Sequence, residues 1–328
     1  MSGLANNPWA SLVGSVTTTR ERWLTATVDR RTDAADGVVA LELVAEDLPS
    51  WEPGAHIDVR LDGELIRQYS LCGNPAEDGR WRIGVLREPA GRGGSQRIHD
   101  SVFEGSTVEV RGPRNHFPLV DAPAYLFIGG GIGITPLLPM IAQVQNWGVP
   151  WRLDYGGRSR SSMGFAEELA RHGDRVCLHP QDEVGLLDIP ALIENLQPGT
   201  AVYCCGPEPL IEAVEVACGA ASVDLHVERF APLEFDTSKD TAIEVEFAQS
   251  DVTVEVPPGT SIIDVAEEQG ILITWSCGEG TCGSCETRVI SGTPLHRDAV
   301  LSPDEKAAND VMMPCVSRSR GGRLVLDL

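Results

Sequence analysis

The chain has 328 residues, 42% of them hydrophobic, and a formal net charge of −22 at neutral pH. Its length allows two or three domains, each with its own core. Only two lysines are present, Lys239 and Lys306, which argues against binding a nucleic-acid backbone, and no apolar run reaches the ~18 residues that span a bilayer.

Residues 1–22 lack periodicity and are expected to form an N-terminal arm. Residues 1–16 carry neither a basic start nor a continuous apolar stretch, which predicts no secretory signal. Nine cysteines without such a signal fit a reducing, cytoplasmic compartment in which thiolates are available to metals. From Trp23 to Leu119 the chain alternates and is rich in turns. Strands are predicted at 24–29, 38–43, 56–61, 67–71, 81–85 and 107–111. Turn signals at Pro53-Gly54, Asp62-Gly63 and Gly73-Asn74-Pro75 separate several of them, as in an antiparallel barrel.

Two strings in this region suit a flavin. In Arg67-Gln68-Tyr69-Ser70-Leu71 an aromatic face can pack on the ring, and a guanidinium can pair with a phosphate. Alone, the string reads equally as a strand with one buried Tyr and one exposed Arg. Gly91-Arg92-Gly93-Gly94-Ser95 runs into a helical segment at 96–102. A glycine-rich backbone entering a helix N-terminus forms a phosphate nest, with Ser95 as hydroxyl donor. The bland alternative is a flexible turn.

The pattern changes near residue 124. Apolar strands at 124–128, 151–155, 175–179, 201–205 and 226–230 alternate with helical stretches at 137–145, 163–172 and 209–218, which predicts a parallel α/β sheet. Gly129-Gly130-Gly131-Ile132-Gly133-Ile134-Thr135-Pro136 joins a strand to a helix and suits a diphosphate. It is not the Rossmann fingerprint, since Pro136 replaces the third glycine; proline is tolerated in a first helical turn. A tight turn is the alternative. Gly156-Gly157-Arg158-Ser159-Arg160 and Cys205-Gly206-Pro207 also follow strands, so all three loops are expected at one crevice. Arg158, Ser159 and Arg160 would suit a 2′-phosphate, stack on adenine, or stay solvated.

Residues 231–240 read as a linker. Beyond it, a hairpin at 242–256, a helix at 261–269 and strands at 286–290 and 323–328 resemble a ferredoxin β-grasp. Cys277, Cys282 and Cys285 follow the spacing Cys-x4-Cys-x2-Cys, and 29 residues separate Cys285 from Cys315. This is the plant-type ligand spacing for a [2Fe–2S] cluster. Gly278, Gly280 and Gly283 allow the turns by which one loop aims three thiolates inward. A zinc site and four ordinary buried thiols are the alternatives, but zinc favours paired Cys-x2–4-Cys units and only one close pair exists.

Taken in order, Arg67-x-Tyr-Ser, Gly91–Ser95, Gly129–Pro136, Cys205-Gly-Pro and the cysteine set resemble the phthalate dioxygenase reductase and vanillate demethylase reductase family, within the ferredoxin–NADP reductase superfamily. The likeness covers about residues 23–328. The middle of the chain is also similar to the reductase part of self-sufficient haem-thiolate monooxygenases. The resemblance implies an antiparallel flavin-binding β-barrel (23–119), a parallel α/β nicotinamide-binding domain (120–230) and a β-grasp ferredoxin domain (241–328). It implies FMN held by Arg67, Tyr69, Ser70, Leu71, Gly93, Gly94 and Ser95. It implies NADH or NADPH at Gly131, Gly133, Thr135, Arg158, Ser159, Arg160, Cys205, Gly206 and Pro207. The nicotinamide would lie near Thr135 and Cys205, with Phe230 near the flavin. Cys277, Cys282, Cys285 and Cys315 would hold the cluster.

The resulting expectation is a monomeric reductase that passes electrons to a terminal oxygenase, of Rieske or haem-thiolate type, with a basic docking face. Residues 241–328 hold 14 acidic against 6 basic side chains, and Glu279 and Glu286 are expected on the exit edge. Reduction of small acceptors without a protein partner, and a non-enzymatic redox sensor or electron store, are the alternatives.

Overall fold

A computed structural model describes residues 22–61, 63 and 65–328. The expected N-terminal arm lies outside the described residues except for Arg22.

The first sheet contains β1 (Leu24–Ala35), β2 (Val38–Val44), β3 (His56–Leu61), β4 (Leu65–Ser70) and β5 (Arg80–Leu86), then helix α1 (Gly94–Ser101) and β6 (Thr107–Arg114). The order β4-β3-β6-β1-β2-β5 is antiparallel throughout, and a bridge between Leu71 and Ile83 brings its two edges together as a barrel. Ala26, Leu41, Leu43, Ile57, Trp81 and Ile83 fill its interior and are all essentially inaccessible. Truncating a buried aromatic such as Trp81 to alanine would cost about 3–5 kcal/mol. Most predicted strands are extended by a residue or more; β1 runs on to Ala35 because residues 30–35 pair with β2 across bulges.

The second sheet is parallel. Its elements are β7 (Ala124–Gly130), α2 (Leu137–Trp147), β8 (Trp151–Gly157), α3 (Ala166–Leu169), β9 (Val176–Pro180), α4 (Gln181–Val184), α5 (Ile189–Glu194), β10 (Thr200–Cys205), α6 (Glu208–Ala221) and β11 (Leu225–Glu228). The order β11-β10-β7-β8-β9 reverses between β7 and β10. That reversal is where a parallel sheet opens a crevice beyond its carboxyl ends. The helix predicted at 163–172 is shorter than the pattern suggests. Phe165 has φ +61°, Gly173 has φ +59°, and only Ala166–Leu169 is α-helical between them. Helix α5 was not expected; Asp188 Oδ1 caps it by accepting from the Ala191 amide at 3.2 Å.

The third sheet is mixed. It comprises β12 (Ile243–Phe247), β13 (Val252–Val256), β14 (Thr287–Leu295), β15 (Val311–Met312) and β16 (Arg318–Leu326), with helices α7 (Ile262–Glu268) and α8 (Pro303–Ala308). In the order β13-β12-β16-β14-β15, only β12 and β16 are parallel. Ser261 and Asp264 form a capping box at α7, and Ser302 and Glu305 another at α8. The Ser-Pro-Asp-Glu string at 302–305 thus carried a start signal for the unpredicted α8. The three sheets agree with the expected barrel, α/β sheet and β-grasp; the first and third have interiors of their own, and the apolar cluster under the second also takes in Val38, Ala40 and Cys72 of the barrel region.

Candidate functional site

Strand β4 and the loop before α1 meet in the barrel. Gly93 has φ +82°, a left-handed conformation that suits glycine, and it caps α1. A side chain on Gly94 would overlap the Arg67 stem, so glycine lets Arg67 lie across the helix start. From there Arg67 donates to the carbonyls of Ile66 and Arg92, both at 2.6 Å. Burial, and then Arg92, lower its pKa from the ordinary guanidinium value. Ser95 Oγ accepts from the Glu88 amide at 3.0 Å and ties the nest to the strand end. Two strings that were separate in sequence thus form one cationic cradle with free helix-start amides, which fits a flavin phosphate. Tyr69 is half-buried beside it, and burial raises its hydroxyl pKa.

Across the seam, the loops after β7 and β10 interlock. A side chain on Gly133 would overlap the Cys205 carbonyl, and one on Gly130 would come within 2.6 Å of Pro207 Cδ. Gly131 has φ +54°, and its carbonyl accepts from Tyr155 Oη at 2.9 Å. Parallel pairing sets Cys205 opposite Gly129 and Gly130 opposite Gly156, which brings Gly131, Gly133, Cys205, Gly206 and Pro207 together at the switch point. This cradle fits a dinucleotide diphosphate. Thr135 is buried; its Oγ1 donates to the Ile132 carbonyl at 2.9 Å, and its methyl faces Gly84 of β5. Gly84 therefore lets the nucleotide loop press on the barrel. Arg158 is exposed, Ser159 caps a 3-10 turn with Ser162, and Arg160 bonds Glu183 at 3.1 Å. The neighbouring acid means that Arg160 does not offer an unshared charge.

Glu228, at the end of β11, was missed as a site residue. Its Oε2 accepts from Ser70 Oγ at 3.4 Å, across 158 residues of chain. It pairs opposite Cys205 in the sheet. Burial pushes the Glu228 carboxyl up to about 8, opposed by the Ser70 hydrogen bond. Burial also raises the Cys205 thiol well above its ordinary range, and Glu228 adds to this. Ser70, Cys205 and Glu228 thus link the barrel motif to the nucleotide crevice. Phe230, two residues further on, is 45% exposed.

The four cysteines lie in one buried patch. Cys285 and Cys315 sulfurs are 3.4 Å apart, and Cys277 contacts both Cys282 and Cys315. The thiols form a chain of contacts, Cys282–Cys277–Cys315–Cys285, and their spacing along the sequence is that of plant-type [2Fe–2S] ligands, not the paired units of zinc. Gly278, Gly280 and Gly283 have φ of +69°, +72° and +70°, as their expected role requires. Hydrogen bonds from Cys282 and Cys315, then backbone N–H groups of Glu279 and Thr281, favour the thiolate at Cys277.

The cysteine loop rests against the barrel. Ser276 Oγ donates to Asp58 Oδ2 at 2.7 Å, and His56 Nε2 lies 3.1 Å from the Cys282 carbonyl. Burial, then Arg114 and His116, push the His56 imidazole down to about 3. Glu279 pairs with Arg92 at 2.8 Å, so it faces the flavin cradle and not the exit edge expected for it. Glu286 is exposed on the surface, yet burial, then Glu305 and Asp298, raise its carboxyl pKa. The acidic surplus of the domain therefore gave no guide to which carboxylates point outward.

Comparison with known proteins agrees with this geometry. Residues 245–320 match the 2Fe-2S iron-sulfur cluster binding domain. The chain is 44% identical to phenoxybenzoate dioxygenase subunit beta of Ectopseudomonas oleovorans, over 90% of this chain and 94% of that one. It is 41% identical to an intact type IV self-sufficient cytochrome P450 monooxygenase, with a TM-score of 0.88 over 93% of this chain; it spans 41% of that longer protein. The solved structure of phthalate dioxygenase reductase, described as modular for electron transfer from pyridine nucleotides to [2Fe–2S], is 36% identical. That match has a TM-score of 0.66 and covers 93% of this chain and 98% of that one. By its ordered motifs, its three sheets and its similarity along nearly the whole length, the chain belongs to the phthalate dioxygenase reductase and vanillate demethylase reductase family.

Proposed function

We propose that the chain is an oxidoreductase that carries electrons from NAD(P)H through FMN and a [2Fe–2S] cluster to a separate oxygenase. The observation that carries this reading is the arrangement around the barrel: the nucleotide crevice presses on β5, while the cysteine loop rests on β3 and β6. The bound groups supply one chemistry, in which a flavin takes the two electrons of a hydride and releases them singly to a one-electron cluster. Arg67, Gly93, Gly94 and Ser95 would hold the FMN phosphate, with Tyr69 beside the ring; the Leu71 side chain is buried in the barrel interior and would leave only its backbone to the flavin. Gly131, Gly133, Gly206 and Pro207 would hold the dinucleotide, and Thr135 would set the spacing between crevice and barrel. Ser70, Cys205 and Glu228 would line the hydride path, and Phe230, exposed just past β11, would lie near the flavin. Cys277, Cys282, Cys285 and Cys315 would ligate the cluster. The corresponding domains are 23–119, 120–230 and 241–328, joined by 231–240. Anaerobic NADH should bleach the flavin and then the cluster, and substrate oxidation should require an added oxygenase. NADH consumption coupled to a small acceptor alone would favour an independent reductase. Flavin that stays oxidised with both NADH and NADPH would favour the sensor.

Arg158 and Arg160 are the proposed readers of the adenosine ribose. If NADPH is used, replacing both by alanine should raise its KM about 5–30-fold more than that of NADH, as expected for one lost charged hydrogen bond. Steady-state kinetics with both coenzymes measures this. Equal effects would restrict the pair to adenine or the shared diphosphate.

The partner proposed is a Rieske-type oxygenase; the similarity to the self-sufficient P450 supports a haem-thiolate partner as second reading. A basic docking face would complement the acidic ferredoxin domain, with the reductase a cytoplasmic monomer. Among the described residues no helix is long and apolar enough to cross a membrane. Since exposed charges are screened within about 8–10 Å at physiological salt, transfer to the partner should slow as salt rises. Reduction of a small uncharged acceptor should change less. A partner rate that is flat or rises with salt would point to apolar docking.

A further inference from the structure

The cysteine loop is held on the barrel by charged groups that face away from solvent. Asp58 on β3 is fully buried. Its Oδ1 accepts from Gln68 at 2.8 Å and pairs with Arg114 at 2.7 Å. Its Oδ2 accepts from Arg111 at 2.8 and 3.0 Å, and from Ser276 Oγ at 2.7 Å. Both arginines belong to β6 and both continue into the cysteine loop. Arg111 reaches Ser276 Oγ and the Trp275 carbonyl, and Arg114 Nε reaches the Cys282 carbonyl at 3.4 Å. Two points of the loop are thereby gripped, one just before Cys277 and one at Cys282.

The same strand pairing connects this grip to the flavin motif. Asp58 lies opposite Gln68, and Ile57 lies opposite Tyr69. Gln68 is the second residue of the Arg67-x-Tyr-Ser string and donates to Asp58 directly. A short rigid route therefore runs from the flavin strand, through Asp58 and Ser276, to the first cluster cysteine. If this seam served only to join domains, apolar packing would serve as well or better, because burying charge is costly. Directional bonds, however, fix one geometry. Arg92–Glu279, a further ion pair across the seam, is half exposed and adds little rigidity. Two guanidiniums also face a single carboxylate, so the surplus positive charge is turned toward the carbonyls of the loop whose cysteines would hold an anionic cluster.

We propose that Asp58, with Arg111 and Arg114, is a positioning hub that locks the cysteine loop to the flavin strand and so sets the geometry for transfer between flavin and cluster. This inference rests on the functional reading above. The residues act through Ser276 and the loop backbone, not by touching the reacting atoms.

The test uses the full chain loaded with flavin and cluster. Anaerobic stopped-flow with NADH follows flavin bleaching and cluster bleaching separately, and hydrogen exchange follows the amides of residues 276–285. Ser276→Ala removes the link on the loop side and leaves the ion pairs within the barrel. It should leave flavin reduction unchanged, speed amide exchange in the loop, and slow cluster reduction several-fold, because a loosened loop lengthens the path from flavin to cluster. Ser276→Thr keeps the hydroxyl and should restore both signals. Asp58→Asn leaves two buried guanidiniums poorly matched and should give a larger loss; if it does not fold, Ser276→Ala decides. Wild-type cluster reduction and loop exchange in Ser276→Ala would overturn the hub, as would a defect that Ser276→Thr fails to repair. Failure of the functional reading is distinct: the wild-type chain itself would then show no flavin bleaching with either NADH or NADPH.

Discussion

Cys282→Ser should abolish the cluster while NAD(P)H still reduces the flavin. Cys282 is almost inaccessible, touches Cys277, and sits where its carbonyl is held by His56 and Arg114. A hydroxyl is a poor substitute for thiolate at iron, so one ligand of four is lost from a rigid loop that cannot supply another. The ferredoxin sheet has its own apolar interior, built on Ile243, Phe247, Ile262, Met312 and Leu324, and does not share it with the other two. The barrel and the α/β sheet should therefore stay folded. Iron content should fall to background, the visible bands of the cluster should disappear, and oxygenase-coupled turnover should stop. Hydride transfer to flavin should persist within about twofold, as for a site that shares no reacting group with the lost cluster. A folded, flavin-loaded variant that NAD(P)H cannot bleach would show that the cysteine loop shapes the nicotinamide site, against the separation drawn here.

The features legible in sequence were those whose chemistry is local. Cysteine spacing carries its meaning within one loop, and glycines mark the positions where backbone must turn or press close. Gly133 against the Cys205 carbonyl and Gly94 against Arg67 bear this out. The parallel sheet was legible because continuous apolar runs alternate with amphipathic stretches. What could not be read were pairs made by folding. Glu228 looked like the tail of a strand until Ser70 was seen beside it. Asp58, Arg111 and Arg114 looked like ordinary polar positions of a barrel, and only the packing of the third sheet brings the cysteine loop to them, Ser276 to Asp58 and Arg111 and the Cys282 carbonyl to Arg114. Glu279 was expected at the cluster edge from the acidic balance of its domain, whereas it pairs with Arg92 beside the flavin cradle. The helix predicted at 163–172 had suitable periodicity, but Phe165 takes a left-handed conformation and packs its ring against Gly84 and Arg82. Tertiary contact outweighed propensity there.

Glu228 should give flavin reduction a pH dependence that Glu228→Gln removes. Desolvation raises its carboxyl to about 8, so the group is neutral at pH 7 and ionises as pH rises through 8. Its neighbours are Ser70 on the barrel and Cys205 on the adjacent strand, and the thiol stays protonated over this range. Below pH 8 the site between crevice and barrel therefore carries no charge from this dyad. Above pH 8 it gains a negative charge where a hydride, itself a carrier of negative charge, must pass to the flavin. Wild-type flavin reduction should fall on the alkaline side, with an apparent pKa near 8, whereas the glutamine variant mimics the neutral acid and should remain flat. Removing the side chain with Glu228→Ala should slow the step about 10–100-fold at pH 7 if the acid also orients the reactants through Ser70. The same shift has a stability consequence. The folded chain binds a proton that the unfolded chain releases near the ordinary carboxyl value, so the stabilisation is complete below that value and is lost as pH climbs to about 8. Glu228→Gln should thus flatten the stability profile between the ordinary carboxyl value and about 8, and the rate profile around and above 8. A variant that keeps the wild-type alkaline fall in rate would assign it to another group and leave Glu228 as a structural contact between the two sheets.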